Sequence, residues 1–192
     1  MKLYYTPKSH FARKVLILIN AYGIDVQLID VGNVALSTEI FGGNPLMKVP
    51  TLVIDELWII DSDNIAQYLV RKYDSQDRFE VLTTDINTLN ARAVINGIMS
   101  AEVEILLAQR TGLDTSTYQR FDKMTESIKM GLDWLEDNVA IFTTKPTYLN
   151  FHLVCMWEHL SLYTKFELNY PKLQEHFTKM SLLDYVATNA PK

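Results

Sequence analysis

Residues 47–52 read Met-Lys-Val-Pro-Thr-Leu, which sets Pro50 at the mouth of an apolar run, Thr51 to Ile54, with the pattern of a strand. Proline has no amide hydrogen to give a ladder, so within sheets it is confined to edges, bulges and first residues. Pro50 fits a first residue, and Val49-Pro50 by itself leaves two readings open. One is a plain strand boundary. The other is a cis bond at a tight turn that offers the Val49 backbone to a ligand.

Downstream, Leu57 to Ile60 is a second apolar run, separated from the first by Asp55-Glu56, the two-residue spacing of a hairpin. Asp61, Ser62 and Asp63 then open a helix on which Ile65, Leu69 and Tyr73 share a face. Its acidic start and its Arg71-Lys72 end both suit the helix dipole. Upstream, Lys2 to Tyr5 reads as a short strand, and Val15, Leu18, Ile19 and Tyr22 recur at helical spacing until Gly23 stops them. Val26 to Val31 reads as another strand. The polar stretch from Gly32 to Asn44 has room for a short helix near Thr38 to Phe41.

After the polar link Asp74 to Arg78 the strand signal vanishes. Ile86, Leu89, Ala93, Gly97, Ala101 and Ile105 predict one long helix, and Met124, Ile128, Leu132, Leu135 and Val139 another. Phe151 to Leu160 is apolar nearly all round, the mark of a buried central helix. The expectation is an α/β domain over 1–76, a linker over 77–84 and an all-helical domain over 85–192.

Apolar residues make up 48% of the 192 and charged residues 21%, the balance of a soluble globular protein. No apolar run approaches the roughly 20 residues of a membrane span. The N-terminus enters a strand pattern directly, without a secretion-signal core, and the single Cys155 excludes an internal disulfide and fits a reducing compartment. A cytoplasmic location is therefore expected. With a net charge of -5 and scattered Lys and Arg, no basic stripe is available for nucleic acid.

Taken together, Leu3-Tyr4-Tyr5-Thr6-Pro7, Arg13-Lys14-Val15, Asn44-Pro45, Lys48-Val49-Pro50, Asp61-Ser62 and Pro171-Lys172-Leu173 resemble the glutathione transferase family over essentially the whole chain. The resemblance implies a thioredoxin-like N-terminal domain followed by a helical one. It implies a cis bond at Pro50, with the Val49 backbone pairing with the cysteine of glutathione like an added strand. It implies that Asp61 and Ser62 receive the γ-glutamyl end, although either is also an ordinary helix N-cap. Lys48 matches a basic residue that some members aim at the glycyl carboxylate, and is equally readable as a solvated loop lysine.

Conjugation requires the glutathione sulfur as thiolate, and lowering a thiol pKa by about two units takes roughly 2.7 kcal/mol of preferential stabilisation. Tyr5, Thr6 and Ser9 supply hydroxyls at the start of the first helix. Thr6-Pro7-Lys8-Ser9 replaces the C-x-x-C of dithiol enzymes, which excludes exchange by the protein's own cysteines. Ser9 falls where serine-using members place their hydroxyl and is the first choice; Tyr5 is the second; a bare N-cap is the alternative for Ser9. His10 either adds a titratable charge beside the sulfur or faces water, the second being favoured, and Arg13 either helps attract the anionic ligand or is simply an exposed first-turn arginine.

Several positions depart from the family pattern: Met47 for a glycine, Asp63-Asn64 after the serine, Asn150 for an aspartate three residues beyond Thr147, and Ser181-Leu182-Leu183 for an Arg-Pro-Ser. Thr147 with Asn150 remains a candidate, weaker capping box. Cys155 reads as core filling, and His152 and His159, seven apart on one helix face, as satisfied or surface histidines rather than metal ligands. Met99, Met124 and Met130 read as core or cleft lining, and Met99, Glu102, Val103 and Leu106 are placed at a second, electrophile pocket. The implied function is transfer of glutathione to a small hydrophobic electrophile by a homodimer, with glutathione as co-substrate and no metal. The alternative is a catalytically silent binding, regulatory or scaffold protein of the same fold.

Overall fold

A computed structural model of the protein describes residues 1–35, 37–163, 167–188 and 190–191. Four strands, β1 (Lys2–Tyr5), β2 (Gln27–Asp30), β3 (Thr51–Ile54) and β4 (Leu57–Ile60), form one sheet in the order β2-β1-β3-β4. β1 and β2 are parallel, joined through α1 (His10–Tyr22). The other two pairings are antiparallel, with Ile54 opposite Leu57 across the two-residue turn. Asp55 meets that turn with φ of 54°, a left-handed conformation that aspartate tolerates. α2 (Ser62–Tyr73) completes this half.

The sequence placed β2 one residue too long at each end, and the short helix expected near Thr38–Phe41 is instead a 3-10 turn at Phe41–Gly43. The glycines explain the shift. Gly42 and Gly43 have φ of 59° and 90°, and a Cβ on Gly43 would stand 2.5 Å from the Trp58 ring. Only glycine lets the chain pass there toward residues 44–50.

The second half is helical: α3 (Ile86–Arg110), α4 (Gln119–Asp137), α5 (Tyr148–Tyr163), α6 (Pro171–Ser181) and α7 (Asp184–Ala187). α5 is buried on every side over most of its length, as its unbroken apolarity predicts. Its start is held by the Thr147–Asn150 box, which is closed and buried. Asn150 Oδ1 accepts from the Thr147 amide at 3.0 Å and its hydroxyl at 2.6 Å, and the Asn150 amide donates to Thr147 Oγ1 at 3.3 Å. The asparagine also donates Nδ2 to the Thr143 carbonyl at 3.3 Å, a bond no aspartate could make.

One core joins the sheet, α1 and α2 to Tyr148, Phe151, Val154 and Cys155 of α5 and to Met180 and Val186. A second lies among α3, α4, α5 and Leu173. α1 touches both, so its His10 and the run Ala12–Ile19 are all buried. Arg13 is therefore not the exposed arginine expected from its first-turn position. It is 2% exposed, paired with Glu158 at 2.9 Å, and donates to the carbonyls of Val186 and Thr188.

Candidate functional site

Strand register brings the distant sequence motifs to one end of the sheet. Tyr4 lies opposite Thr51, so Tyr5 ends β1 beside Pro50, and Ile60 lies opposite Thr51 on the other flank. The loop leaving Tyr5 leads to Ser9 and α1, and the chain leaving Ile60 leads to Asp61-Ser62 and α2. Two helix N-termini and the Pro50 turn thus converge on one edge.

Ser9 is the N-cap of α1: its Oγ accepts from the Ala12 amide at 3.2 Å. This occupies a lone pair and leaves the hydroxyl proton free to donate. Among the described residues, the His10 and Phe11 amides take no part in turn or cap hydrogen bonds, so the helix start retains donors for an anion. Tyr5 is half-buried, and burial, then the Asp30 charge, push its phenol up, away from ionisation. His10 does not face water. It is 4% exposed, against Phe11 and the His159 ring, and burial, with the neighbouring His159 and Lys14, holds it well below the usual imidazole range, so it is neutral.

The Val49–Pro50 peptide bond is cis. Asn44, itself buried, pins the loop before it, donating Nδ2 to the Lys48 carbonyl at 2.8 Å and accepting from the Leu46 amide at 2.9 Å. Among the described residues, the Val49 amide and carbonyl are taken up by no turn, loop or cap bond. Met47 adopts φ of 53°, a left-handed conformation that glycine takes readily, and is 42% exposed. Lys48 is exposed.

Asp61 caps α2, its Oδ1 accepting from the Asp63 and Asn64 amides at 2.9 and 3.1 Å. Its backbone sits at φ 73°, ψ 128°, a strained position for a residue with a Cβ. Ser62, at the first helical position, is 3% exposed. The next residue anchors a buried network that sequence reading missed. Asp63 accepts from Lys14 Nζ at 3.3 Å, Asn96 Nδ2 at 2.9 Å and the Tyr148 hydroxyl at 2.8 Å, and His152 Nε2 stands 3.3 Å away. Burial pushes the Asp63 carboxyl up, but His152, Lys14 and Tyr148 outweigh it and hold it well below the carboxylate range. Lys14, buried, also reaches Asn96 Oδ1 at 3.0 Å and His152 Nδ1 at 3.4 Å. Burial, then the charge on Lys14, pushes His152 down to about 3. Sequence spacing alone could not show that Asp63 and its partners come together from four helices.

A second acid–imidazole pair lies farther along α5. His159 Nδ1 is 3.2 Å from Glu102 Oε2 of α3, and both residues are buried. Beside it opens a cavity of about 250 Å³ among α3, the turn at Thr115–Thr117, the start of α4 and the end of α5. Of the residues assigned to a second pocket, Glu102 and Leu106 line this cavity. Val103 does not, and Met99 is fully buried in the core, because its face of α3 packs on α4 and α5. Met130, expected in core or cleft, is 64% exposed. Burial pushes the Cys155 thiol up, as befits core filling. Among the described residues no His, Cys, Asp or Glu cluster is arranged to hold a metal, and no helix is long and apolar enough to cross a membrane.

Residues 3–77 match the family model for the glutathione S-transferase N-terminal domain. The chain is 30% identical over 206 residues to glutathione S-transferase 1 of Manduca sexta, covering all of this chain and 93% of that protein. A glutathione S-transferase structure from Methylobacillus flagellatus KT with glutathione bound superposes with a TM-score of 0.83 at 22% identity, covering 100% of this chain and 99% of that one. Maleyl pyruvate isomerase, described as a zeta-class bacterial glutathione S-transferase, superposes with a TM-score of 0.75 at 20% identity, covering 100% and 97%.

Proposed function

The chain belongs to the glutathione S-transferase family, and from that premise we propose that it binds glutathione at the sheet edge, stabilises its thiolate and adds it to a small electrophile. The convergence of Ser9, Val49-Pro50 and Asp61-Ser62 on one end of the sheet is the observation that carries this reading. The unengaged Val49 amide and carbonyl suit an antiparallel peptide, and the α2 N-terminus suits the γ-glutamyl carboxylate. Asp61 carries a charge for the ammonium group, and Lys48 for the glycyl carboxylate. Ser9 donates its free proton to the sulfur while its oxygen remains the helix cap. His10, neutral and buried, acts as a wall of the site rather than as a titrating charge. Tyr5 ranks behind Ser9, because its ring packs against the core.

Isothermal titration with glutathione tests the binding, and absence of heat at millimolar ligand would leave the silent binding protein as the reading. If glutathione binds, Ser9→Ala tests the chemistry. A donor to a charged sulfur is worth about 1.5–3 kcal/mol, so conjugating activity should fall roughly 10- to 100-fold. Cap loss should cost about 1 kcal/mol of stability. Full activity in that variant would move the role to Tyr5 or Thr6.

Domain limits at 1–76 and 85–192, a homodimer and a cytoplasmic location complete the proposal. Apolar Ile86 and Leu89 on α3 and Met130 on α4 are exposed, which supports a subunit contact on that helix pair.

A further inference from the structure

Relying on the glutathione-dependent reading only for the reacting end of the compound, we infer that the cavity beside α3 holds the electrophile's tail and selects one bearing a cationic hydrogen-bond donor, such as a primary ammonium group, paired with Glu102.

Glu102 is the reason. It lines the cavity, is 5% exposed, and among the described residues its buried Oε2 receives no hydrogen bond. His159 Nδ1 lies within 3.2 Å but makes none to it. A buried acceptor without a donor is costly, and native proteins keep few of them without a use. The rest of the wall agrees in sign. Asp122 adds a second acid, no Lys, Arg or His is among the described lining residues, and Phe121 and Tyr163 supply aromatic faces that suit a ring and a cation. Among the described residues at the margin, the Arg110 guanidinium is an opposing charge and lies over the Tyr163 ring, 5.0 Å from its centre. At about 250 Å³ the space suits a single substituted ring.

The position of the cavity ties it to the reacting end. The His159 ring stands between Glu102 and the His10 ring, which is 5.3 Å away, and His10 follows Ser9 in the chain. Glu102 and the turn at Ser9 are thus linked through the packed His159 and His10 rings.

Three soluble probes of one shape read the cavity directly: benzylammonium, benzyl alcohol and phenylacetate, titrated into the whole protein with NMR detection. The expected order of affinity is ammonium, alcohol, carboxylate, with about a tenfold step between ammonium and alcohol. Glu102→Gln should reduce that step to below about threefold while leaving the glutathione affinity unchanged. Equal binding of the three, tighter binding of phenylacetate, no binding of any, or a preference that survives in Glu102→Gln would each overturn the inference. Glutathione titrated separately distinguishes the two failures. An ammonium preference with no glutathione binding refutes the transferase reading alone, and glutathione binding with no ammonium preference refutes this one alone.

Discussion

Seven residues apart on α5, His152 and His159 each meet a carboxyl group from another helix, at 3.3 Å from Asp63 and 3.2 Å from Glu102. Distance does not separate them. Asp63 accepts from lysine, asparagine and tyrosine, and the charge on Lys14 is matched on the spot. Among the described residues Glu102 Oε2 accepts nothing, and the residue lines a cavity. A network of this kind, in which His152 Nε2 is left without a bond but the carboxylate is filled, ties α1 and α2 to α3 and α5 and holds the two halves in register. A carboxyl oxygen left without a donor is held in place by the surrounding fold, and the inferred ligand would use that residue's bonding capacity.

Removing Asp63 should produce the largest effect, because Lys14 would be left buried without its counter-charge. Asp63→Ala should destabilise by about 3 kcal/mol, a fall in Tm of roughly 6–12 °C for a chain of this size, measured by thermal or urea denaturation. A loss below about 1 kcal/mol would mean that the network contributes no more than a surface ion pair. Acid should act through the same residues. With the folded carboxyl depressed, its stabilisation is present above the unfolded pKa of about 3.9 and is lost as pH falls below it. His152, pushed down to about 3 when folded, works in a higher window. The unfolded chain takes up the proton below about 6.5 and the folded chain refuses it, so stability declines as pH falls from there toward 3. His10 and His176, also lowered, act in the same direction, so His152→Gln should reduce that slope without abolishing it.

The Glu102 pair should behave otherwise. Glu102→Gln replaces a buried carboxyl oxygen that receives no hydrogen bond among the described residues by a neutral amide, and the expected change in stability is less than about 1 kcal/mol, with a gain as admissible as a loss. The same denaturation series measures it. A loss comparable to that of Asp63→Ala would make the two pairs alike and assign both to the frame.

Sequence reading reached what local pattern determines. Helical spacing located α1 to α5, and the apolar runs on either side of Asp55-Glu56 gave the hairpin. The motifs converge because register does the rest. What stayed hidden depends on the second half covering the first. Arg13 and His10 occupy a first helical turn that would be exposed in the α/β half alone, and are buried because α5 and the α7 segment close over them. Asp63 looked like a mere departure from the family pattern, since its partners Lys14, Asn96, Tyr148 and His152 are scattered over 139 positions of sequence. Glu102 does line a cavity, but its pairing with His159 needed the packing of α3 on α5.

The smallest effect is expected where the site carries backbone strain instead of an unpaired acid. Met47 holds φ at 53° in the loop that presents Val49, a conformation costing a residue with a Cβ about 1–2 kcal/mol. Met47→Gly removes that cost but loosens the unfolded chain, which returns about 0.4–1 kcal/mol. The net expectation is a gain near 0.5 kcal/mol, seen as a higher denaturant midpoint at constant m-value. Glutathione affinity then decides what the strain is for. Unchanged affinity would mean that the methionine merely occupies a glycine's place, its exposed thioether touching nothing that matters. A more stable variant that binds glutathione more weakly would put Met47 with Glu102, on the side of the molecule where stability is given up for a ligand.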